Sequence, residues 1–190
     1  MFSTVRQDIA RKACLLYGDS KPGAMVRVVF QRGTWAVLVY RFGRWAGAVQ
    51  PKLLGLIFKA VYFLAFYFVQ MLTGISVQSY ARIGPGFVIM NYSGIFVVAE
   101  EIGRNFTVYE GVTVGNIRGK PRLAILGDNI TLEPGAKVLG DINVGSNVIV
   151  RANSLVITNV PDNSLVIGNP ARVTALEKEN QSNVERHVYG

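Results

Sequence analysis

Proton transfer at neutral pH is histidine's usual task, and this chain has one histidine, His187, in a polar closing run where solvent exposure is expected. It has one cysteine, Cys14, on an apolar helical stretch, where packing rather than nucleophilic chemistry is the expected role. Without clusters of histidine or cysteine, no metal site of the zinc type can be argued. Acid–base work therefore falls to carboxylates. Glu110, in Thr107-Val-Tyr-Glu-Gly-Val-Thr113, with Glu100 and Glu101 flanking the same stretch, is one such carboxylate. A glutamate in a dry groove can take the proton of an attacking hydroxyl. A solvated turn residue is the alternative reading of Glu110.

These carboxylates sit within a run from Ile83 to Val156 where an aliphatic or aromatic residue recurs every sixth position. The run reads Ile83, Ile89, then after a one-residue slip Phe96, Ile102, Val108 and Val114, and after a break Leu126, Leu132, Val138, Val144, Val150 and Val156. Neither the 3.6-residue period of a helix nor the two-residue period of a lone strand produces this. Stacked coils do, each hexad making a short strand and a turn and burying its apolar residue in a shared axial core. The register departs twice. One departure lies at Met90-Asn91-Tyr92-Ser93-Gly94 and the other between Val114 and Leu126, where Gly119 and Pro121 indicate a loop. In a solenoid such departures fall at the working face. The repeat is expected to stop at Val160.

Before the coils the pattern is helical. Residues 1 to 17 place Val5, Ile9, Ala13 and Leu16 on one face, with Gly18 as the stop. Asp19-Ser-Lys-Pro-Gly reads as a turn, and Met25 to Trp45 as two short helices broken near Gly33. Trp35, Tyr40, Phe42 and Trp45 are expected as core or interfacial anchors. Pro51 opens a long apolar helix that Thr73-Gly74 closes. The expected division is a helical, basic and hydrophobic part over 1–74, the coils over 75–173, and a polar tail over 174–190.

The formal charge is +8, and it is unevenly placed. No acidic residue lies between Asp19 and Glu100, whereas Lys21, Arg27, Arg32, Arg41, Arg44, Lys52, Lys59 and Arg82 are basic. Leu53 to Leu72 is long enough to cross a bilayer, but Lys59 near its centre would cost about 3 kcal/mol on insertion scales. Residues 21–72 lying at a membrane surface, with arginines on anionic head groups, account for both hydrophobicity and charge. Burial between subunits and a true span are the alternatives. No nucleic-acid binding motif accompanies the charge, so no nucleic-acid partner is expected. A single cysteine fits a reducing compartment. The apolar stretch lies too far from Met1 for a cleavable signal. The expected location is cytoplasmic, peripheral on the inner face of the plasma membrane.

The hexads ending in Val160-Pro-Asp-Asn-Ser-Leu-Val-Ile-Gly-Asn-Pro-Ala-Arg172-Val173 resemble the left-handed parallel β-helix of the hexapeptide acyltransferases. Val5-Arg-Gln-Asp-Ile9, a Trp/Arg-rich helical middle, Thr73-Gly-Ile75, Ile83-Gly-Pro-Gly86, Gly94-Ile95, Glu110-Gly-Val-Thr-Val-Gly115 and Gly135-Ala-Lys-Val-Leu-Gly140 narrow the resemblance to the serine acetyltransferases, over residues 5 to 173. The left-handedness is the family's; the usual right-handed crossover preference does not give it. The resemblance implies a homotrimer of three-sided prisms with acetyl-coenzyme A in the groove between neighbours and no metal. The co-substrate would pass Gly111, Gly135, Ala136 and Ala152, small residues that allow close backbone approach, with Lys137 or Arg172 meeting its phosphates. Tight turn packing is the alternative for Ala136 and Ala152.

The chain departs from the family at the catalytic positions. The place of the general-base histidine holds Asn91, that of the orienting aspartate holds Ser76, and that of a second, substrate-binding histidine holds Lys120. Asparagine cannot act as a base, and losing general-base help costs a factor of roughly 10² to 10⁴. Glu110, one coil below Asn91, is the expected substitute. The expected function is acetyl transfer to a hydroxyl or amine of a small molecule, or of an exopolysaccharide or lipid-linked sugar. A catalytically inactive structural or regulatory trimer, and serine O-acetylation through another base, stand as alternatives.

Overall fold

The computed structural model describes residues 1–50, 52–117 and 122–176. Four helices come first: α1 (Phe2–Tyr17), α2 (Pro22–Val29), α3 (Arg32–Ala46) and α4 (Lys52–Thr73). Gly18 ends α1 in the left-handed region at φ 71°, where a side chain would be strained. The break expected near Gly33 falls instead at Phe30 and Gln31. Gly33 belongs to the first turn of α3, and a Cβ there would meet the Ile89 carbonyl at 2.8 Å, so the glycine serves close packing on the coils.

The coils form three sheets, parallel throughout until the closing strand. The first contains Ile75–Val77, Ile95–Val97, Thr113–Gly115, Lys137–Leu139 and Leu155–Val156; the second Arg82–Ile83, Glu101–Ile102, Ile125–Leu126 and Asn143–Val144. The third contains Val88–Ile89, Thr107–Val108, Ile130–Leu132, Val148–Val150 and Ser164–Ile167, and ends on Arg172–Ala175, which runs antiparallel. Register puts like residues on like. Val77, Val97, Val114, Val138 and Val156 form one buried column. Ile83, Ile102, Leu126, Val144 and Val160 form a second. Ile89, Val108, Leu132, Val150 and Val166 form the third.

Two expectations about the repeat are corrected. Phe96 is not a core residue: alternation along its strand turns Ile95 and Val97 inward and leaves Phe96 43 % exposed. The stack also continues past Val156, because Val160 bridges to Val144 and Val166 pairs with Val150. Thr174 and Ala175, expected to open the tail, complete the antiparallel strand. The Leu176 amide donates to the Asn163 carbonyl at 2.8 Å, and residues 177–190, His187 included, lie outside the described residues.

A polar clamp joins the helices to the first coil. Asp8 of α1 is buried and accepts hydrogen bonds from the Gly86 and Phe87 amides at 2.8 and 2.9 Å and from Arg41 of α3 at 2.8 and 3.1 Å. Arg41 also donates to the Ile83 and Gly84 carbonyls, both at 2.7 Å. Burial pushes the Asp8 carboxyl up, against the lowering by Arg41 and the two amides. Beside it Lys12 is 2 % exposed, donates to Thr34 at 3.1 Å, and is lowered by burial to about 8. Cys14, expected to pack, is exposed.

Candidate functional site

Turns that carry the chain from the third sheet to the first stack into one edge of the prism. Gly94, Gly111 and Gly135 lie in line there at φ 64°, 69° and 73°, with Asn153 at 59°. The backbone binds the turns to one another: the Gly111 amide donates to the Ser93 carbonyl at 3.0 Å, Gly135 to Glu110 at 2.8 Å, and Asn153 to Pro134 at 2.9 Å. Only glycine, and asparagine at some cost, sits readily in this conformation. Ser93, Glu110, Pro134 and Ala152 each precede such a position, so Glu110 is presented on the edge.

The irregular turn Met90–Gly94 brings Asn91 over it. The Asn91 side-chain amide Nδ2 donates to Glu110 Oε2 at 2.8 Å, and Glu110 is half-buried. Arg32, in the first turn of α3, places its guanidinium 4.8 Å from the centre of the Tyr92 ring, close enough for a cation–π contact. The corner thus gathers a carboxylate, an amide that orients it, an aromatic face and a cation. That set can accept a proton and hold a polar acceptor. Ser76, at the orienting aspartate's place, is buried and accepts from Gln78 Nε2 at 3.2 Å.

The residues expected to line the co-substrate divide. Gly111, Gly135 and the exposed Ala152 lie on this edge; the Ala152 amide donates to Glu133 at 3.0 Å, and Arg151 pairs with the same carboxylate at 2.7 Å. Lys137 is exposed beside them and donates to the Gly135 carbonyl at 3.2 Å. Ala136 faces inward. Its methyl is fully buried, its amide donates to Glu133 at 3.0 Å, and its carbonyl accepts from Thr113 at 3.0 Å, so turn packing is its role. Arg172 is exposed on the closing strand, opposite Ile167. Lys120 lies outside the described residues. No cluster of three or more metal-ligating side chains occurs among the described residues.

Sequence reasoning missed Arg32 as a member of the corner, because only the packing of α3 on Ile89 brings it there. It also gave Asp8 no role, although Val5-Arg-Gln-Asp-Ile9 stood out as a motif.

No protein-family profile matches the chain. A serine acetyltransferase of Staphylococcus aureus strain Mu50 is 43 % identical over 106 residues, 53 % of this chain and 49 % of that protein. One from Bacillus pumilus strain SAFR-032 is 42 % identical over 123 residues, 60 % of this chain and 56 % of that protein. The chain spans about half the length of the curated relatives it matches. Among solved structures, a serine acetyltransferase from Vibrio cholerae superposes with a TM-score of 0.76 at 21 % identity, over 96 % of this chain and 70 % of that one. A hexapeptide-repeat serine O-acetyltransferase from Brucella melitensis gives 0.71 at 26 % identity, over 92 % and 67 %. A serine acetyltransferase solved in complex with CoA gives 0.69 at 24 % identity, over 89 % and 68 %.

Proposed function

We propose that this serine acetyltransferase-like hexapeptide-repeat chain transfers an acetyl group from acetyl-coenzyme A to an acceptor hydroxyl or amine, with Glu110 as the base. The observation that carries the reading is the 2.8 Å hydrogen bond from Asn91 to Glu110. It sets a carboxylate beside the position where the family has its histidine. In this reading the second oxygen of Glu110 takes the acceptor's proton as the acceptor attacks the thioester carbonyl, and Glu110 returns that proton to the departing thiolate.

The co-substrate is proposed to follow the edge past Gly111, Gly135 and Ala152, with Lys137 and Arg172 toward its phosphates and a neighbouring protomer of a homotrimer forming the facing wall. The CoA complex of a serine acetyltransferase with the same fold supports the choice of donor. Asn91, Tyr92 and Arg32 in place of a histidine-centred site favour an acceptor other than serine, such as a sugar hydroxyl of an exopolysaccharide or lipid-linked precursor.

Glu110→Gln tests the assignment. Turnover should fall by about 10² to 10⁴ while calorimetric affinity for acetyl-coenzyme A is unchanged. Turnover would be followed by thiol release over a panel of serine, amines and sugars. O-acetylserine from the unaltered chain would favour retained serine acetylation; no turnover with any acceptor would favour an inactive structural trimer and overturn the assignment.

A further inference from the structure

We infer that α4 lies flat in the interfacial layer of an anionic lipid membrane and docks the whole chain there. One stripe of α4, comprising Gly55, Phe58, Tyr62, Phe66, Val69 and Thr73, is committed to the protein. Phe58 packs 5.0 Å from Trp45, Tyr62 lies against Gly43 where any side chain would collide with its ring, and Val69 joins the coil core. Outside the stripe the surface stays apolar and uncovered. Leu53, Leu64 and Met71 are 73, 75 and 77 % exposed, and only 17 % of an apolar 18-residue stretch within Leu53–Thr73 is buried. At 100° per residue the bare positions fill an arc of about 180°, and Lys59 and Gln70 fall together on one border of it. An apolar arc edged by polar residues is the pattern of a helix lying in an interface.

Two other occupants fit less well. A spanning α4 would have to carry α3 into the hydrocarbon with it, because the two pack along their length, and α3 brings Arg32, Arg41 and Arg44. Arg41 is held by Asp8 and two carbonyls of the first coil, so α3 cannot be shed without opening the clamp. A second copy of this chain would cover one strip of the arc rather than its width. It would also set a region with no acidic residue between Asp19 and Glu100 against its own like charge. A lipid surface covers the whole arc, and an anionic one matches the charge.

Docking does not depend on the transfer reading, and its test reads binding alone. The full chain is floated with vesicles of phosphatidylcholine, and with vesicles that also contain phosphatidylglycerol. We expect roughly tenfold or more preference for the anionic vesicles, since each basic residue near the surface adds about 1 kcal/mol. The preference should fall in high salt, and the protein should be released by alkaline carbonate. The double variant Leu64→Gln, Met71→Gln should float at least about tenfold less at an unchanged melting temperature, because both residues are exposed and make no core contact. Retention through carbonate would mark a span and overturn the inference. Equal flotation on neutral vesicles would overturn its anionic component. No flotation, together with self-association that the double variant abolishes, would assign the arc to a second copy and overturn it as well.

Discussion

In the coils a side chain's role follows from its place in a repeat; in the helices it follows from one contact made once. Fifteen inward residues of three columns perform the same task, and each is backed by an equivalent in the coil stacked on it. The helical part meets this stack through contacts that each occur once, among them the buried acid Asp8, whose partners come from α3 and the Pro85 turn. Redundancy spreads the cost of a change across neighbours, whereas a lone buried ion pair concentrates it.

The largest effect should therefore follow from Asp8→Ala, which leaves Arg41 buried without an anion and should lower unfolding stability by about 3–5 kcal/mol. Urea denaturation of Asp8→Ala, Arg41→Ala and the double variant measures it, and strongly non-additive losses would show that the two act as one clamp. In the coils, Leu132→Ala and Ile95→Ala should each cost about 2–5 kcal/mol, and Phe96→Ala under about 1 kcal/mol because that ring is outside. Equal losses at Ile95 and Phe96 would break the register given above.

Lys12 gives a smaller, pH-dependent test, with Asp8 the other titratable group lining the same small cavity. Its folded value of about 8 lies below the ordinary 10.5, so between these limits the unfolded chain holds a proton that the folded chain has released. Stability therefore rises with pH through that window, by at most about 3 kcal/mol, and is lowest below it. Lys12→Met should be the more stable protein at pH 7, and its advantage should vanish toward the upper limit, as read by denaturation at several pH values.

A further modest effect concerns the asparagine ladder on another edge. There Asn105 donates to Asn129 at 2.8 Å, Asn129 to Asn147 at 2.8 Å, and Asn147 to Asn163 at 2.9 Å, all at positive φ. Asn129→Ala should cost about 1–2 kcal/mol in strain and Asn129→Gly less, readable as a shift in thermal midpoint. A glycine variant as unstable as the alanine variant would assign the ladder's value to side-chain bonds rather than backbone conformation.

Particular residues show what could be read early and what could not. Six-residue spacing found the columns, since burial in a stacked coil returns on the same face each time. It failed at Phe96, where two inward residues flank an outward one and hydrophobicity alone cannot choose between them. Glu110 beneath Asn91 was legible because the coil length sets vertical neighbours. For Ala136 both readings stayed open in the sequence, because its small size suits a groove and a core equally, and burial of its methyl favours the turn. Arg32 and Asp8 carried no periodic signal, and their partners lie far along the chain.

The order of residues by itself determined the stacked coils of the solenoid, the uneven charge and the apolar length of α4, because each is a local or periodic property. Only the tertiary structure decided that Arg32 borders the Asn91–Glu110 pair, that Asp8 closes on Arg41, and that the outer arc of α4 is left bare. Those outcomes depend on how α3 seats against the first coil, and packing between distant segments has no period to read.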